Sequence, residues 1–560
     1  MSTLEKSPAP EPCEDYKTEQ KLATDARKGV DYEHSLTLWQ ALKTNKRAVF
    51  WTWAISLAII MEAYDDSLIS SVYGYNSFAK KYGQWYPKLK EYQVPARWQS
   101  ALNMASPVGE IIGLMLNGWL VERFGYKKVI MPCYVLATGF IFIVFFAPSI
   151  GVLLTGELFC TVIWGLLGGL APGYAAEMCP AILRGYLTMY VNFTFTIGHT
   201  IKAGVLMGFA NNNTEWSYRI PFAIQWCWPI PLAIITWFAP ESPWWLVRKD
   251  RIEDAKMNIR RLRSDENMDE VVEKEIAMMI HSDLYNRDES KNDSYFDCFK
   301  GKNLRRTEIC IMTWMCQQMN NFGGVGNSYF FEQVGFSQIK SYAFTFIGEG
   351  IALFGDATSW FLVTFTGHRL LYTSGMFGQS LIYFIVGFLS LAPQSKDGPK
   401  WAAAVILMMQ SFFYDCSIGP LAFAISTEVP TARLRNRTFA IGRSIYYILG
   451  IICSVANPYM INPTEDNWKG KAAFLPASLC LIWAFWCVFR LPEMKGRTFE
   501  ELDVMFERGV KTRDFKNYKI ALFDDEEYSA KNGSEEEDAD LTKEGHKQET
   551  EELTYRIATK

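Results

Sequence analysis

The chain runs to 560 residues, 49% of them hydrophobic and 15% aromatic, with a net charge of only −4 at pH 7. Such a length would suit several soluble domains, yet the charges crowd into the two ends and one central block and leave long apolar stretches between. The charge balance gives no indication of nucleic-acid binding, and the twelve cysteines form no CxxC pair and no zinc-type cluster, so most read as small buried hydrophobes and neither a metal nor a cofactor is expected.

In chain order, the first 47 residues are polar and lack the apolar core of a signal peptide, so the first apolar segment is expected to act as its own insertion signal. Crossing the hydrocarbon core as a helix takes about 20 predominantly apolar residues. Windows of that kind are Val49–Tyr73, Trp98–Leu120, Val129–Ala147, Val152–Ala176, Leu187–Ala210 and Phe222–Ala239. Beyond a polar block come Ile309–Phe331, Ala343–Phe365, Leu371–Leu391, Trp401–Thr427, Phe439–Ile461 and Ala472–Phe489. The pattern is that of an all-α integral membrane protein with twelve transmembrane helices in two six-helix halves, residues 48–239 and 309–490. Residues 1–47, 240–308 and 491–560 then form an N-terminal tail, a central loop with short surface helices, and an increasingly acidic tail with disordered composition.

Basic residues in short loops set the orientation. Arg123, Lys127 and Lys128 follow the second window, Arg248, Lys249 and Arg251 the sixth, Arg433, Arg435 and Arg437 the tenth, and Lys495 and Arg497 the twelfth. All fall on one side together with both termini, which is therefore expected to be cytosolic; Lys80, Lys81, Lys88 and Lys90 after the first window run against this.

The two halves carry matching signatures. Glu177, Pro180, Leu183 and Arg184 in AEMCPAILRG correspond to Glu428, Pro430, Leu434 and Arg435 in TEVPTARLRN, and Pro240-Glu241 corresponds to Pro492-Glu493. Duplicated helical halves around a central cavity are an architecture of secondary transporters. Glu177 with Arg184, and Glu428 with Arg435, occupy equivalent ends of the halves and are expected to hold that side closed and then part.

Ionisable groups at membrane depth are costly and usually face a cavity or a partner. Glu62, Asp65 and Asp66 stand three and four residues apart in the first window, a spacing that places them on one helix face as candidates for taking up and releasing a proton. Glu110, Glu157, Glu349, Asp356 and Asp415 are further acids within windows, and Lys202 and Arg443 are the bases. Static ion pairs that lock helices together are the alternative for each of them. For Lys202 three roles are open: pairing with a carboxylate such as Asp65 or Asp66, contact with an acidic substrate, or snorkelling to the helix end. Gln317, Gln318, Asn320, Asn321 and Asn327 place amides in the seventh window, and amides match vicinal hydroxyls with both donors and acceptors. Phe322, Tyr329, Phe330, Phe412, Phe413, Tyr414 and Phe423 offer rings for the apolar face of a pyranose, although packing is the commoner role of such rings.

GWLVERFGYKK (Gly118 to Lys128) resembles the loop signature of the major facilitator superfamily. PESPWWLVRK, the Glu177–Arg184 segment and PEMKGRTFEELD resemble the sugar porter family within it. IMEAYDDSLI, SIGPLAFAISTEVPTARLRNRTFAIGRSIYYILG and NPYMINPTEDNWKGKAAF are similar to the fungal maltose and α-glucoside permeases, and the resemblance covers roughly residues 35 to 515. It implies the major facilitator fold, a site between the halves, and uptake coupled to protons. Asp65 matches the aspartate of the family's first-span Gly-Tyr-Asp motif, with Ala63 in place of the glycine; the fourth-span arginine that often faces it is replaced by Glu157 after Gly156. The fifth-span Gly-Gln sugar contact appears as Gly198-His199, the paired glutamines match Gln317 and Gln318, and Phe423 stands for the tenth-span tryptophan of hexose-type porters. The expected substrate site is therefore His199, Gln317, Gln318, Asn321 and Phe423; proton coupling is expected through Asp65, on which the resemblance falls, and through Glu62 and Glu110 as acids at membrane depth. Glu122 and Arg123 join the two signatures as gating residues, and Lys202, Asp66, Asp415 and Arg443 remain charge partners to be placed.

The expectation is a monomeric plasma-membrane symporter for a sugar and protons, not an enzyme. A transporter-like sugar sensor and a porter of a non-sugar metabolite are the alternatives.

Overall fold

The computed structural model describes residues 28–29, 35–66, 68–72, 75–86, 91–209, 214–264, 268–287, 294–322, 331, 336, 338–392, 397–431, 433–461 and 468–518. Lys88, Lys90, Asn327, Tyr329, Phe330, the first 27 residues and the acidic tail beyond Tyr518 lie outside the described residues.

Among the described residues, every apolar window contains helix. The first is broken into Lys46–Ser56, Ile59–Asp65 and Leu68–Val72, and the second to fifth are Ala96–Phe124, Tyr126–Phe145, Ile150–Met178 and Ala181–Phe209. The sixth is split into Trp216–Ile224 and Pro229–Phe238, joined by a tight turn at Gln225–Cys227. The seventh to ninth are Asn303–Met319, Gln338–Thr366 and His368–Leu389; the tenth is split into Asp397–Asp415 and Ile418–Glu428; the last two are Arg435–Ile461 and Phe474–Arg490. The breaks have local causes. Pro229 and Pro420 lack the N–H that a continuous ladder needs and clash with the carbonyl four residues back.

Among the described residues, ten of these spans are long and apolar enough to cross a membrane by length and composition. The fifth and seventh are not. The seventh helix is described over only 17 residues. The fifth carries Arg184, Asn192, Thr194, Thr196, His199 and Lys202 along its length, and it packs against the first, eighth and tenth spans instead of facing outward. Elsewhere the bundle turns large apolar side chains outward, with Phe365 81%, Val135 72% and Phe354 68% exposed. Such a surface belongs in lipid.

The packing repeats. The second span lies on the fourth, the third on the sixth and the first on the fifth; the eighth lies on the tenth, the ninth on the twelfth and the seventh on the eleventh. The halves meet where the second span touches the eleventh and the fifth touches the eighth, which are equivalent contacts under the same repeat. Gly125 and Gly367 precede the third and ninth spans with φ of 89° and 87°, a region close to glycine-only. Glu241 accepts from the N–H groups of Tyr126 and Lys127 at 2.9 and 3.2 Å, and Glu493 accepts from those of His368 and Arg369 at the same two distances.

Short helices Pro243–Arg248, Ile252–Leu262 and Met268–Arg287 pack together below the first half, where Arg263 pairs with Glu275. A final helix, Phe499–Glu507, follows the twelfth span. The loop after the first span forms a helix, Asn76–Tyr82, and a two-stranded antiparallel hairpin in which Trp85 faces Tyr92.

Candidate functional site between the halves

Arg443 stands at the centre of the bundle, buried in the eleventh span. Its guanidinium carbon lies 4.6–5.2 Å from the ring centroids of Trp314, Phe423, Tyr446, Tyr447 and Phe195. The first four rings belong to the second half and Phe195 to the first. Tyr446 and Tyr447 lie three and four residues after Arg443, on the same helix face. Such a cage holds a cation by its ring quadrupoles while excluding water. The cage opens toward Glu62 of the first half. Arg443 Nη2 lies 3.8 Å from Glu62 Oε1, and the Tyr447 hydroxyl accepts from Arg443 at 3.2 Å and donates to Glu62 at 3.2 Å. A buried ion pair therefore spans the joint between the halves.

The three first-span acids do not act as one face, contrary to the expectation from their spacing. The helix ends at Asp65, and Asp66 turns to extended backbone (ψ 124°). Glu62 reaches Arg443. Asp65 turns into the first half, where Trp164 Nε1 and Gln225 Nε2 donate to its two oxygens at 2.7 and 2.6 Å. Two neutral donors thus occupy the place of the missing fourth-span arginine. Asp66 lies 3.6 Å from His199 Nε2. Its freed carbonyl accepts from Lys202 Nζ at 2.6 Å, which brings the lysine to Asp66, one of the residues named as its possible partners. His199 and Asp66 keep side-chain exposures of 30% and 48%, which leaves this part of the interior accessible. The close fit of the first and fifth spans depends on Gly198: a Cβ there would stand 2.6 Å from that of Ala63.

Glu110 and Glu157 are also buried in the first half. Ser106 donates to Glu110 at 3.1 Å, and one oxygen each of Glu62, Glu110 and Glu157 has no hydrogen-bond partner among the described residues. Asp415 belongs to a different group, where Asn192 Nδ2 donates to both Asp356 and Asp415 at 2.9 and 3.1 Å and Thr196 donates to Asp356 at 2.6 Å.

The expected amides separate by role. Gln317 donates to the Gly419 carbonyl at 3.3 Å, at the break in the tenth span, and its buried oxygen has no partner among the described residues. Gln318 accepts from Asn321 at 3.0 Å. Asn320 points into the packing of the second half, bonded to its own helix and approached by Cys480. Phe423 is fully packed between Trp314 and Phe195 beneath Arg443, so its ring serves the cage.

At the end of the bundle that carries the repeated signatures, the pairing crosses over. Glu177 meets Arg435 of the other half at 3.4 Å and Arg248 at 3.2 Å, and accepts from Ser242 at 2.5 Å. Arg184, the expected within-signature partner, donates from Nε to the Ala176 carbonyl at 3.2 Å. Glu428 lies 3.2 Å from His368 in place of Arg435. Glu122 pairs with Arg248 and Lys249 at 3.5 and 3.3 Å, whereas Arg123 lies over Trp119 and Phe124. Burial opposes the charge of Arg248, but Glu177 and Glu122 hold it above the usual arginine range. Asn436 reaches Tyr126 across the joint at 3.3 Å, and this end is sealed.

Trp164, Gln225, Tyr447, Asn192 and Thr196 were not singled out from sequence. Uncharged donors at membrane depth were the available signal, but their partners lie far along the chain.

Two repeated helical halves, tied at one end by the cross-half pair of Glu177 and Arg435 and joined at the centre by that of Glu62 and Arg443, define a multi-pass membrane transporter. The family described as Sugar (and other) transporter matches residues 51–506, and the chain belongs to that family of transporters, not enzymes. It is 34% identical over 509 residues to a maltose permease of Saccharomyces cerevisiae, covering 89% of this chain and 82% of that protein. It is 34% identical over 513 residues to a general alpha-glucoside permease of the same yeast, covering 90% and 82%. Among solved structures, the proton:xylose symporter XylE with bound 6-bromo-6-deoxy-D-glucose superposes with a TM-score of 0.71 at 19% identity, over 82% of this chain and 100% of that one. The transporter FucP in an outward conformation gives 0.53 at 12% identity, over 79% and 99%. These likenesses establish the major facilitator fold.

Proposed function

We propose that the protein takes up a neutral sugar, maltose or another α-glucoside, together with a proton, by alternating access. The single observation that carries this reading is the Glu62–Arg443 pair, buried in a ring cage at the joint between the halves. A proton arriving at Glu62 weakens the pair and with it one tie across the joint. Four buried first-half carboxyls, Glu62, Asp65, Glu110 and Glu157, gather on that side and give the proton places to reside. The unpartnered Gln317 oxygen offers an acceptor to a sugar hydroxyl, with Gln318, Asn321 and His199 as further polar contacts. A charge crossing the membrane gains about 2.3 kcal/mol per 100 mV, enough with a pH gradient to accumulate a neutral solute. The names of the yeast relatives support the substrate class. The sealed end, with Glu177, Arg435, Arg248 and Glu122, is read as the cytosolic gate, with both termini on that side, and the protein as a plasma-membrane monomer.

The test is uptake of labelled maltose by yeast lacking its own α-glucoside permeases, with external pH recorded. Saturable uptake that alkalinises the medium and collapses with a proton ionophore is expected. Uptake indifferent to the ionophore would remove the coupling, and no uptake of any α-glucoside would remove the substrate class. The polar group of His199, Asp66 and Lys202, in which His199 and Asp66 keep part of their side chains exposed, favours a charged metabolite as the second reading. Competition by an anionic metabolite, and none by maltose, would establish it.

A further inference from the structure

Phe499 is the first residue of the helix that follows the twelfth span, and a capping box fixes that start: Glu501 N–H donates to the Thr498 hydroxyl at 3.3 Å, and Thr498 N–H donates to the Glu501 carboxylate at 3.0 Å. The helix is bound to the second half. Arg306 pairs with Asp503, and Arg305 and Arg306 lie over Phe506 at 5.4 and 4.7 Å. The Phe499 ring turns instead toward the joint and is only 2% exposed. Trp244, below the first half, meets it edge-on at 5.8 Å.

The ring centroid lies 3.3 Å from the guanidinium carbon of Arg184 and 3.7 Å from that of Arg435. One ring face has room for a single guanidinium at that height, so the two arginines cover opposite faces. Arg184 lies in the first turn of the fifth span in the first half, and Arg435 begins the eleventh in the second. Both are buried, and Arg435 also reaches Glu177. Two like charges in direct dry contact would drive the halves apart; the ring holds them apart, which weakens their repulsion, and gives each an attractive contact that offsets it.

We propose that Phe499 is a positioning residue of the gate, the shared element on which one arginine from each half stacks when this end is closed. The inference rests on the transporter reading above. When the halves part, at least one guanidinium must leave the ring, so the strength of this stack sets how often the end opens. The aromatic face is the active feature, and aliphatic bulk does not replace it.

Cys179 supplies a native reporter. It is buried beside Arg184 and Trp244 in the small cavity under the first half. The full-length protein in nanodiscs, without sugar, is treated with N-ethylmaleimide, and modification of Cys179 is followed by mass spectrometry. Phe499→Leu and Phe499→Met, which retain bulk, should raise the labelling rate about five-fold or more, and Phe499→Tyr should remain within about two-fold of the native protein. Labelling unchanged in the Leu and Met variants overturns the proposal. Equal acceleration in the Tyr variant overturns it too, since only the native shape would then matter. The assay needs no substrate. A native protein that fails to carry maltose while Cys179 follows the Leu/Tyr pattern sinks the substrate reading and leaves the gate role standing.

Discussion

The two halves are copies at one end of the molecule and opposites at its centre. Gly125 with Glu241 and Gly367 with Glu493 reproduce the same turn, with the same two N–H groups accepted at 2.9 and 3.2 Å in each half. At the joint, by contrast, the first half brings Glu62, Asp65, Glu110 and Glu157, and the second brings Arg443 with four of its five rings. The difference follows from what each contact requires. A carboxylate capping a helix start needs only its own half, so the duplication preserves it. An ion pair that ties and releases two halves needs opposite charges on them, so a symmetric copy would place like charges together.

The largest effect is expected where the asymmetry is greatest. Arg443→Met leaves Glu62 buried without its cation, a loss on the order of 3–5 kcal/mol for a broken buried pair. Surface expression should fall steeply, and adding Glu62→Gln should restore folding and exchange of preloaded sugar but not uphill accumulation. If the double variant still accumulates sugar against a gradient, the pair is structural. Asp65→Asn sharpens the contrast, because its partners Trp164 and Gln225 are neutral and an amide oxygen can still accept from one of them. Expression near the native level with lost accumulation, read by uptake and by sugar-induced alkalinisation, is the expected result.

A smaller effect concerns the amides. Gln317→Ala removes a buried acceptor that has no protein partner among the described residues. The half-saturation concentration should rise about ten- to a hundred-fold, equivalent to roughly 1–3 kcal/mol, at unchanged expression. Gln318 is already engaged by Asn321, so Gln318→Ala should do less. Equal effects would show that the two amides share one role.

The repeated turns should respond least, and alike. Gly125→Ala and Gly367→Ala force a side chain into a strained backbone region and against Glu241 or Glu493. Each should lower stability by about 1–3 kcal/mol, measured as a thermal midpoint in detergent. A large difference between the two variants would break the claim that the turns are equivalent.

The spans were legible because the bilayer imposes one rule on every crossing segment: enough apolar residues to cover its thickness. The fifth span shows the limit of that rule, since it is surrounded by protein and keeps a polar sequence. The identity of the site residues was legible in part. Gln317, Glu62 and Arg443 stood out as polar groups where few are tolerated, but their partners did not. Tyr447 and Glu62 are 385 positions apart, and Arg435 and Glu177 are 258 apart.

Sequence alone thus determined the helical spans, the duplication and the membrane setting, because each follows from local composition or from a repeat along the chain. Only the tertiary structure decided that Glu177 pairs across to Arg435, that Asp65 is held by an indole and an amide, and that Phe499 sits between two arginines. Charge pairing in a low-dielectric interior is settled by which side chains arrive at the same few ångströms. That depends on how the halves dock, which no local stretch of sequence encodes.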